Sequence, residues 1–177
     1  TMPCDRELVF NTIAHWYGHD DVETGLQRFD RLVRSKLGAE IRNHCSRLEG
    51  VDLSNNMLKI AKKKNIYDKL SHSDILEYLS KKPLDFDYYI ALDVFIYVGE
   101  LTQIFRLITS RNKKPGHLVF STEHTELDGY HLLKTVRYSH SKSYIDSLCK
   151  KFGYTISHFS TTKLRKEESS FLTGGIY

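Results

Sequence analysis

Residues 48–61 read Leu48-Glu49-Gly50-Val51-Asp52-Leu53-Ser54-Asn55-Asn56-Met57-Leu58-Lys59-Ile60-Ala61, a short apolar strand that stops on an acid and runs into a capped amphipathic helix. Ser54 or Asn55 caps that helix, and its inner stripe is Met57, Leu58 and Ala61. Doubly wound sheets bind nucleotides at the carboxyl ends of their parallel strands. A carboxylate presented there, as Asp52 is, can accept hydrogen bonds from two vicinal hydroxyls of a ribose. The competing reading is a plain strand-to-helix corner with an exposed Asp.

On the amino-terminal side, residues of about 5–16 and 22–36 read as helices. Leu8, Ile13 and Trp16 space the first apolar face, and Leu26, Phe29, Leu32 and Val33 the second. A further helical stretch covers about 39–45. On the carboxyl side strands and helices alternate: a weak strand at about 68–72, then a short helix opened by Asp74 and reaching Leu79. After Pro83 comes the apolar run Phe86 to Leu92, which ends on Asp93. Leu101, Ile104, Phe105 and Ile108 form a helix face, His117 to Glu123 a strand, and Tyr144, Ile145, Leu148 and Phe152 another helix face. Tyr154 to Phe159 and Gly175 to Tyr177 read as an antiparallel hairpin at a sheet edge. The pattern predicts a single α/β domain over residues 1–177. It has a Rossmann-like, doubly wound, mostly parallel sheet, an antiparallel C-terminal hairpin and a helical N-terminal cap over about 1–36.

Composition fits one globular domain: 177 residues, 40% hydrophobic, with 3 prolines and no linker-like stretch. The net charge of +4 comes from 26 basic against 22 acidic residues. The excess sits in Lys62-Lys63-Lys64, Lys81-Lys82, Arg111 to Lys114 and Lys150-Lys151, each near the end of a predicted helix, where cations complement the dipole. Aromatic residues do not interleave with these clusters, which argues against nucleic acid as a partner. Cys4, Cys45 and Cys149 form no CxxC pair and suit a reducing cytoplasm. No apolar run reaches the roughly 18 residues of a membrane span. His15 and His19 are spaced like a helical metal pair, but Gly18 and the turn around it interrupt the helix and no third ligand is evident, so no metal is expected.

The chain resembles class I S-adenosylmethionine-dependent methyltransferases, in particular the bacterial methyltransferase-domain 11/12-like, tetratricopeptide-repeat-associated type. Five segments carry the likeness: Gly50-Val51-Asp52-Leu53-Ser54 with Met57-Leu58 and Ala61; Tyr67-Asp68-Lys69-Leu70; Ser73-Asp74-Ile75; Phe86-Asp87-Tyr88 through Leu92-Asp93-Val94-Phe95-Ile96-Tyr97-Val98-Gly99; and Arg137-Tyr138-Ser139-His140-Ser141. The resemblance implies S-adenosylmethionine as cofactor. Asp52, with Leu53 beside it, would hold the ribose, and the Met57 thioether would lie against adenine. Asp74 would accept from the adenine amine while the Ile75 amide meets a ring nitrogen; alternatively, Asp74 only caps its helix. Asp93, with Val94 beside it, would steady the methionine moiety, and Tyr97 would wall the acceptor site. His140 is the general-base candidate for an acceptor that needs deprotonation, the alternative being a surface histidine. Glu123 is a second candidate.

One element of the family pattern is lacking. A first strand ending in an acid and a loop of the form D/E-x-G-x-G-x-G belongs roughly 20 residues before the ribose acid. That window here reads Asp30-Arg31-Leu32-Val33-Arg34-Ser35-Lys36-Leu37-Gly38, with one glycine and no apolar strand before it. A parallel sheet without its interior strand would leave two ladders of buried backbone groups unpaired. The expectation is therefore a segment of about 20–40 residues, the size of a helix end, a strand and a loop, absent near positions 36 and 37. The functional expectation is methyl transfer to an unknown acceptor, a small molecule by preference. Its rivals are a degenerate, non-catalytic relative serving as a binding or scaffold module, and a dinucleotide oxidoreductase. The sequence leaves the oligomeric state open.

Overall fold

The centre of the sheet is filled by Glu7–Asn11, strand β1, inside the stretch that the sequence suggested as a helix. The computed structural model describes residues 7–11, 41–167 and 170–177. β1 lies parallel between two strands, with Leu8 opposite Leu48 on one side and Tyr88 on the other. This corrects two expectations. The N-terminal cap is not helical over residues 7–11, and the interior strand comes from the start of the chain, so the sheet needs no extra segment near positions 36 and 37. Leu8-Val9-Phe10 is too short a run to show a period, and interior strands of parallel sheets read as continuous apolar sequence, not as alternation. The rest of the predicted cap, the glycine-poor window, His15 and His19 lie outside the described residues.

From β1 the sheet extends through β2 (Arg47–Asp52) to β3 (Lys69–His72) on one side, and through β4 (Tyr88–Ala91) to β5 (His117–Thr125) on the other, all parallel. Among the described residues, four helices connect or follow these strands: α1 (Asn55–Lys63), α2 (Ile75–Lys81), α3 (Thr102–Arg111) and α4 (Lys142–Phe152). Their last turns carry Lys62 and Lys63, Lys81, Arg111, and Lys150 and Lys151, so the basic clusters do sit at helix C-termini.

Beyond β5 the sheet divides. Glu123 on β5 is registered with Gly174 of β9 (Ser170–Ile176) and also with Ser139 of β7 (Tyr138–Ser141), so these two strands flank β5 on opposite edges. On the β9 edge, β8 (Ser160–Glu167) adds an antiparallel partner. The predicted C-terminal hairpin is present, but its first strand begins at Ser160; residues 154–159 form no strand. On the other edge β4 pairs with the first half of β5, ending with Ala91 opposite Phe120, and β7 takes over from Glu123. The hairpin of β6 (Tyr130–Leu132) and β7 therefore continues the sheet beyond the carboxyl end of β4.

Two apolar clusters cover the faces. Tyr89 and Ala91 of β4 enter the larger one with Phe95, Phe105, Phe120, Ile145 and residues of α2 to α4; Ile90, between them, joins Leu48 and Cys45 in the smaller one. Successive residues of one strand thus serve opposite faces, the doubly wound arrangement. Among the described residues, no helix is long and apolar enough to cross a membrane.

Candidate functional site at the carboxyl edge of the sheet

β2, β3 and β4 are each followed by an acid or end on one, and all three acids lie on the same edge. Asp52 is the last residue of β2 and is 3% exposed; its Oδ1 accepts the Ser54 N–H at 2.7 Å. Ser54 caps α1 by accepting the Met57 N–H at 3.4 Å. Met57, Leu58 and Ala61 are half-buried while the rest of the first turn is exposed, as their spacing predicts. Leu53 is exposed, and its carbonyl meets Nε2 of His72, at the end of β3, at 2.7 Å. The Ser73 N–H donates to the Asp52 carbonyl at 3.2 Å, so the two strand ends are tied together.

Asp74 caps α2 with a single oxygen. Oδ1 accepts the N–H of Leu76 at 2.7 Å and of Glu77 at 3.3 Å. The Ile75 N–H is not taken by this cap, and the Ile75 side chain is buried in the larger core. A carboxylate can accept about four hydrogen bonds, so capping and ligand binding are compatible at this residue.

Past β4 the chain turns through Asp93, whose φ of 56° is left-handed. Asp tolerates this conformation better than most residues, and such turns gather at functional sites. The Asp93 N–H donates to Ser121 Oγ on β5 at 2.9 Å, which fixes the turn. Val94, fully buried, then opens a 3-10 turn over Phe95–Tyr97. Tyr97 is half-buried at its end, with the Arg137 guanidinium carbon 5.9 Å from its ring centre. Arg137 Nη1 lies 3.5 Å from Oε1 of Glu123, a carboxylate that is 1% exposed.

His140 is not at the surface. It is fully buried, and its Nε2 lies 3.0 Å from the carbonyls of both Val98 and Gly99. Carbonyls only accept, so the proton sits on Nε2, which the backbone occupies. Burial lowers the imidazole pKa below its ordinary value, and the two carbonyl bonds oppose that shift. This corrects the surface alternative and leaves Nε2 no role as a base toward substrate. Tyr138, Tyr130 and Tyr144 surround the same turn. A Cβ on Gly99 would meet the Tyr138 ring at 2.6 Å, so glycine is what admits the aromatic side chain.

The sequence thus indicated Asp52, Leu53, Met57, Asp74, Ile75, Asp93 and Val94, and the fold sets them along one edge, with Tyr97 beyond them. Ser121 and Arg137 were missed as contributors. Ser121 left a faint signal as the polar residue that interrupts Leu118-Val119-Phe120, whereas Arg137 depends on a strand pairing that no local pattern announces.

No family model matches the sequence, and no curated protein is similar to it. Solved structures do match in shape. A magnesium protoporphyrin IX methyltransferase from Synechocystis PCC 6803 with bound S-adenosylmethionine superimposes at a TM-score of 0.57 over 90% of this chain and 86% of its own, at 15% identity. S-adenosylmethionine-dependent methyltransferases from Mesorhizobium loti and Methanosarcina mazei give TM-scores of 0.58 and 0.60, at 18% and 10% identity. They cover 97% and 99% of this chain and 90% and 92% of their own. The fold is that of S-adenosylmethionine-dependent methyltransferases. Within this methyltransferase fold, the strands path from β3 through β2, β1, β4 and β5 to β7 and β6, with the antiparallel β9 and β8 on the other edge of β5.

Proposed function

We propose that the protein transfers a methyl group from S-adenosylmethionine to a small-molecule acceptor. The observation that carries this reading is Asp52, a buried carboxylate at the carboxyl end of the strand next to the central one, in a sheet of methyltransferase topology. Its donor set suits the cofactor: Asp52 for the ribose hydroxyls with Leu53 beside it, the Met57 thioether and the Asp74-Ile75 pair for adenine, and Asp93 with Val94 for the methionine end. The finer likeness to the domain 11/12, tetratricopeptide-associated type rests on the motif order alone. The stretch after β1, Thr12-Ile13-Ala14-His15-Trp16-Tyr17-Gly18, holds one glycine where the family pattern has three.

When bound, the cofactor supplies a sulfonium leaving group, and methyl transfer then asks chiefly for in-line approach. The chain's part is to hold and orient. Asp52 fixes the sugar, Asp93 is held in position by Ser121, and Tyr97 walls the acceptor's approach. His140 acts as a positioning residue by tying Val98 and Gly99 to the hairpin. His140 is fully buried, its basic Nδ1 included, so the acceptor is read as a nucleophile that needs no deprotonation by this imidazole. Three cysteines with no CxxC pair in the sequence suit a cytoplasmic setting.

Titration calorimetry with S-adenosylmethionine and S-adenosylhomocysteine tests the reading. Saturable one-to-one binding that Asp52→Ala weakens by at least about a hundred-fold is expected. No saturable heat with the intact chain would overturn methyl transfer in favour of a non-catalytic module of the same fold.

A further inference from the structure

Arg137 is held in an environment that leaves most of its donors unused. Its side chain is 26% exposed, set between the Tyr97 ring and the buried Glu123 carboxylate. A guanidinium carries five N–H donors in a planar fork, and mostly buried polar groups are normally hydrogen-bonded. Among the described residues, its guanidinium has a single polar partner, the Glu123 oxygen at 3.5 Å, which is an ion pair without hydrogen-bond geometry. The group is nevertheless not sealed, so an anion arriving from solvent can reach the fork.

The backbone that delivers Arg137 is unusual. Val136 precedes it at a φ of 59°, a left-handed conformation that a β-branched residue adopts only under strain. Its side chain is also 72% exposed, and Leu132 across the hairpin is 59% exposed. The tip closes through Val136 N–H to the Leu133 carbonyl at 3.0 Å and Leu133 N–H to the Arg137 carbonyl at 2.8 Å. Strain and exposed apolar surface at one turn do nothing for the core, but they place a cation and an apolar lip together at the mouth of the site.

We propose that Arg137 receives a carboxylate of the methyl acceptor, whose apolar body lies against Tyr97 and the exposed side chains of the β6–β7 hairpin. This rests on the methyl-transfer reading for the word acceptor, but the anion site itself does not. Arg137 already faces the Glu123 carboxylate, so a monoanion, which brings one negative charge beside that group, suits the fork better than a phosphate dianion, which brings two. The planar fork matches a carboxylate with two parallel hydrogen bonds, which a lysine cannot reproduce.

The test titrates benzoate, benzamide and phenyl phosphate into the full chain, with and without saturating S-adenosylhomocysteine, followed by calorimetry and by the arginine side-chain N–H signals in NMR spectra. Benzoate should bind at least about ten-fold more tightly than either of the others and shift the Arg137 signals. Arg137→Met should abolish this binding, Arg137→Lys should weaken it several-fold, and Glu123→Gln should tighten it, with S-adenosylhomocysteine affinity unchanged throughout. Opposite signs at the two partners are the signature, because loss of a merely structural ion pair would move both variants the same way. Equal benzoate binding by wild type and Arg137→Met, equal binding of benzamide, no benzoate binding, or tighter binding of phenyl phosphate would each overturn the proposal. Benzoate binding without any binding of S-adenosylhomocysteine would remove the methyl-transfer reading and leave an anion site. The converse would keep that reading and remove the site.

Discussion

The two halves of the carboxyl edge are built in different ways. In the half made by β2 and β3, the capping contacts span two or three residues of sequence, Asp52 to the Ser54 N–H, Ser54 to the Met57 N–H and Asp74 to the Leu76 N–H, while His72 and Ser73 reach across to Leu53 and Asp52. In the half made by β4, β5 and the β6–β7 hairpin they span 28 residues from Asp93 to Ser121 and 42 from Val98 to His140. A corner closed by its own neighbours forms wherever the strand and helix form. A corner assembled from distant segments exists only once the sheet has, so its side chains can be retuned without disturbing the first half.

The largest effect expected from this division falls on the local half. Asp52→Ala removes the acceptor of two ribose hydroxyls, and charge-assisted hydrogen bonds of this kind contribute about 1.5–3 kcal/mol each. Affinity for S-adenosylhomocysteine should fall by roughly two to four orders of magnitude, measured by calorimetry on protein whose circular dichroism is unchanged. Benzoate binding should persist. If both ligands were lost together, the two halves would not be independent.

The same division explains what could be read in the sequence. The strand ending at Asp52, the Ser54 cap, the inner stripe of Met57, Leu58 and Ala61, and the Asp74 corner are local patterns, and each is found where the spacing put it. β1 escaped because five residues are too short a run to carry a period, and with it went the reason to expect a missing segment. The burial of His140 escaped for another reason. A polar residue between Ser139 and Ser141 looks solvent-facing, and only the pairing of β7 with β5, together with Gly99 giving way to Tyr138, puts it beneath the hairpin.

His140 offers the next largest effect, this time in the long-range half. His140→Phe leaves the Val98 and Gly99 carbonyls without a donor, a loss of about 1–3 kcal/mol in urea unfolding. The wild type should also show a pH signature. A base whose pKa is lowered by folding stabilises the native state fully above its unfolded value, about 6.5, and loses that contribution as pH falls through it toward the folded value. Stability should therefore drop below about pH 6.5, and His140→Gln, which keeps a donor at the position of Nε2, should show a shallower decline. An unchanged slope in that variant would mean that another group titrates there.

Gly99→Ala probes the same turn by volume. The new methyl must displace the Tyr138 ring, which lies at 2.6 and 2.9 Å from the Cβ position, and the Tyr130 ring at 3.0 Å. Overpacking of this kind costs about 1–3 kcal/mol, the lower part of that range being expected because the hairpin is partly exposed and can tilt. Benzoate binding should weaken as Arg137 moves with the hairpin, and S-adenosylhomocysteine binding should stay as it was.

The smallest effect belongs to Val136, and its sign is the informative part. A left-handed residue costs about 1–2 kcal/mol when it is not glycine, and Asn tolerates that region several-fold better than valine. Since Val136 is 72% exposed, its replacement forfeits little burial. Val136→Asn should therefore raise stability by roughly 0.5–1 kcal/mol, read as a higher urea midpoint at constant slope. If the exposed valine forms part of the acceptor's apolar seat, the same variant should bind benzoate two- to three-fold more weakly, on the order of one lost methyl contact. A variant that gains stability while losing affinity would identify Val136 as kept for the ligand. A gain in stability with affinity intact would confine the apolar seat to Tyr97.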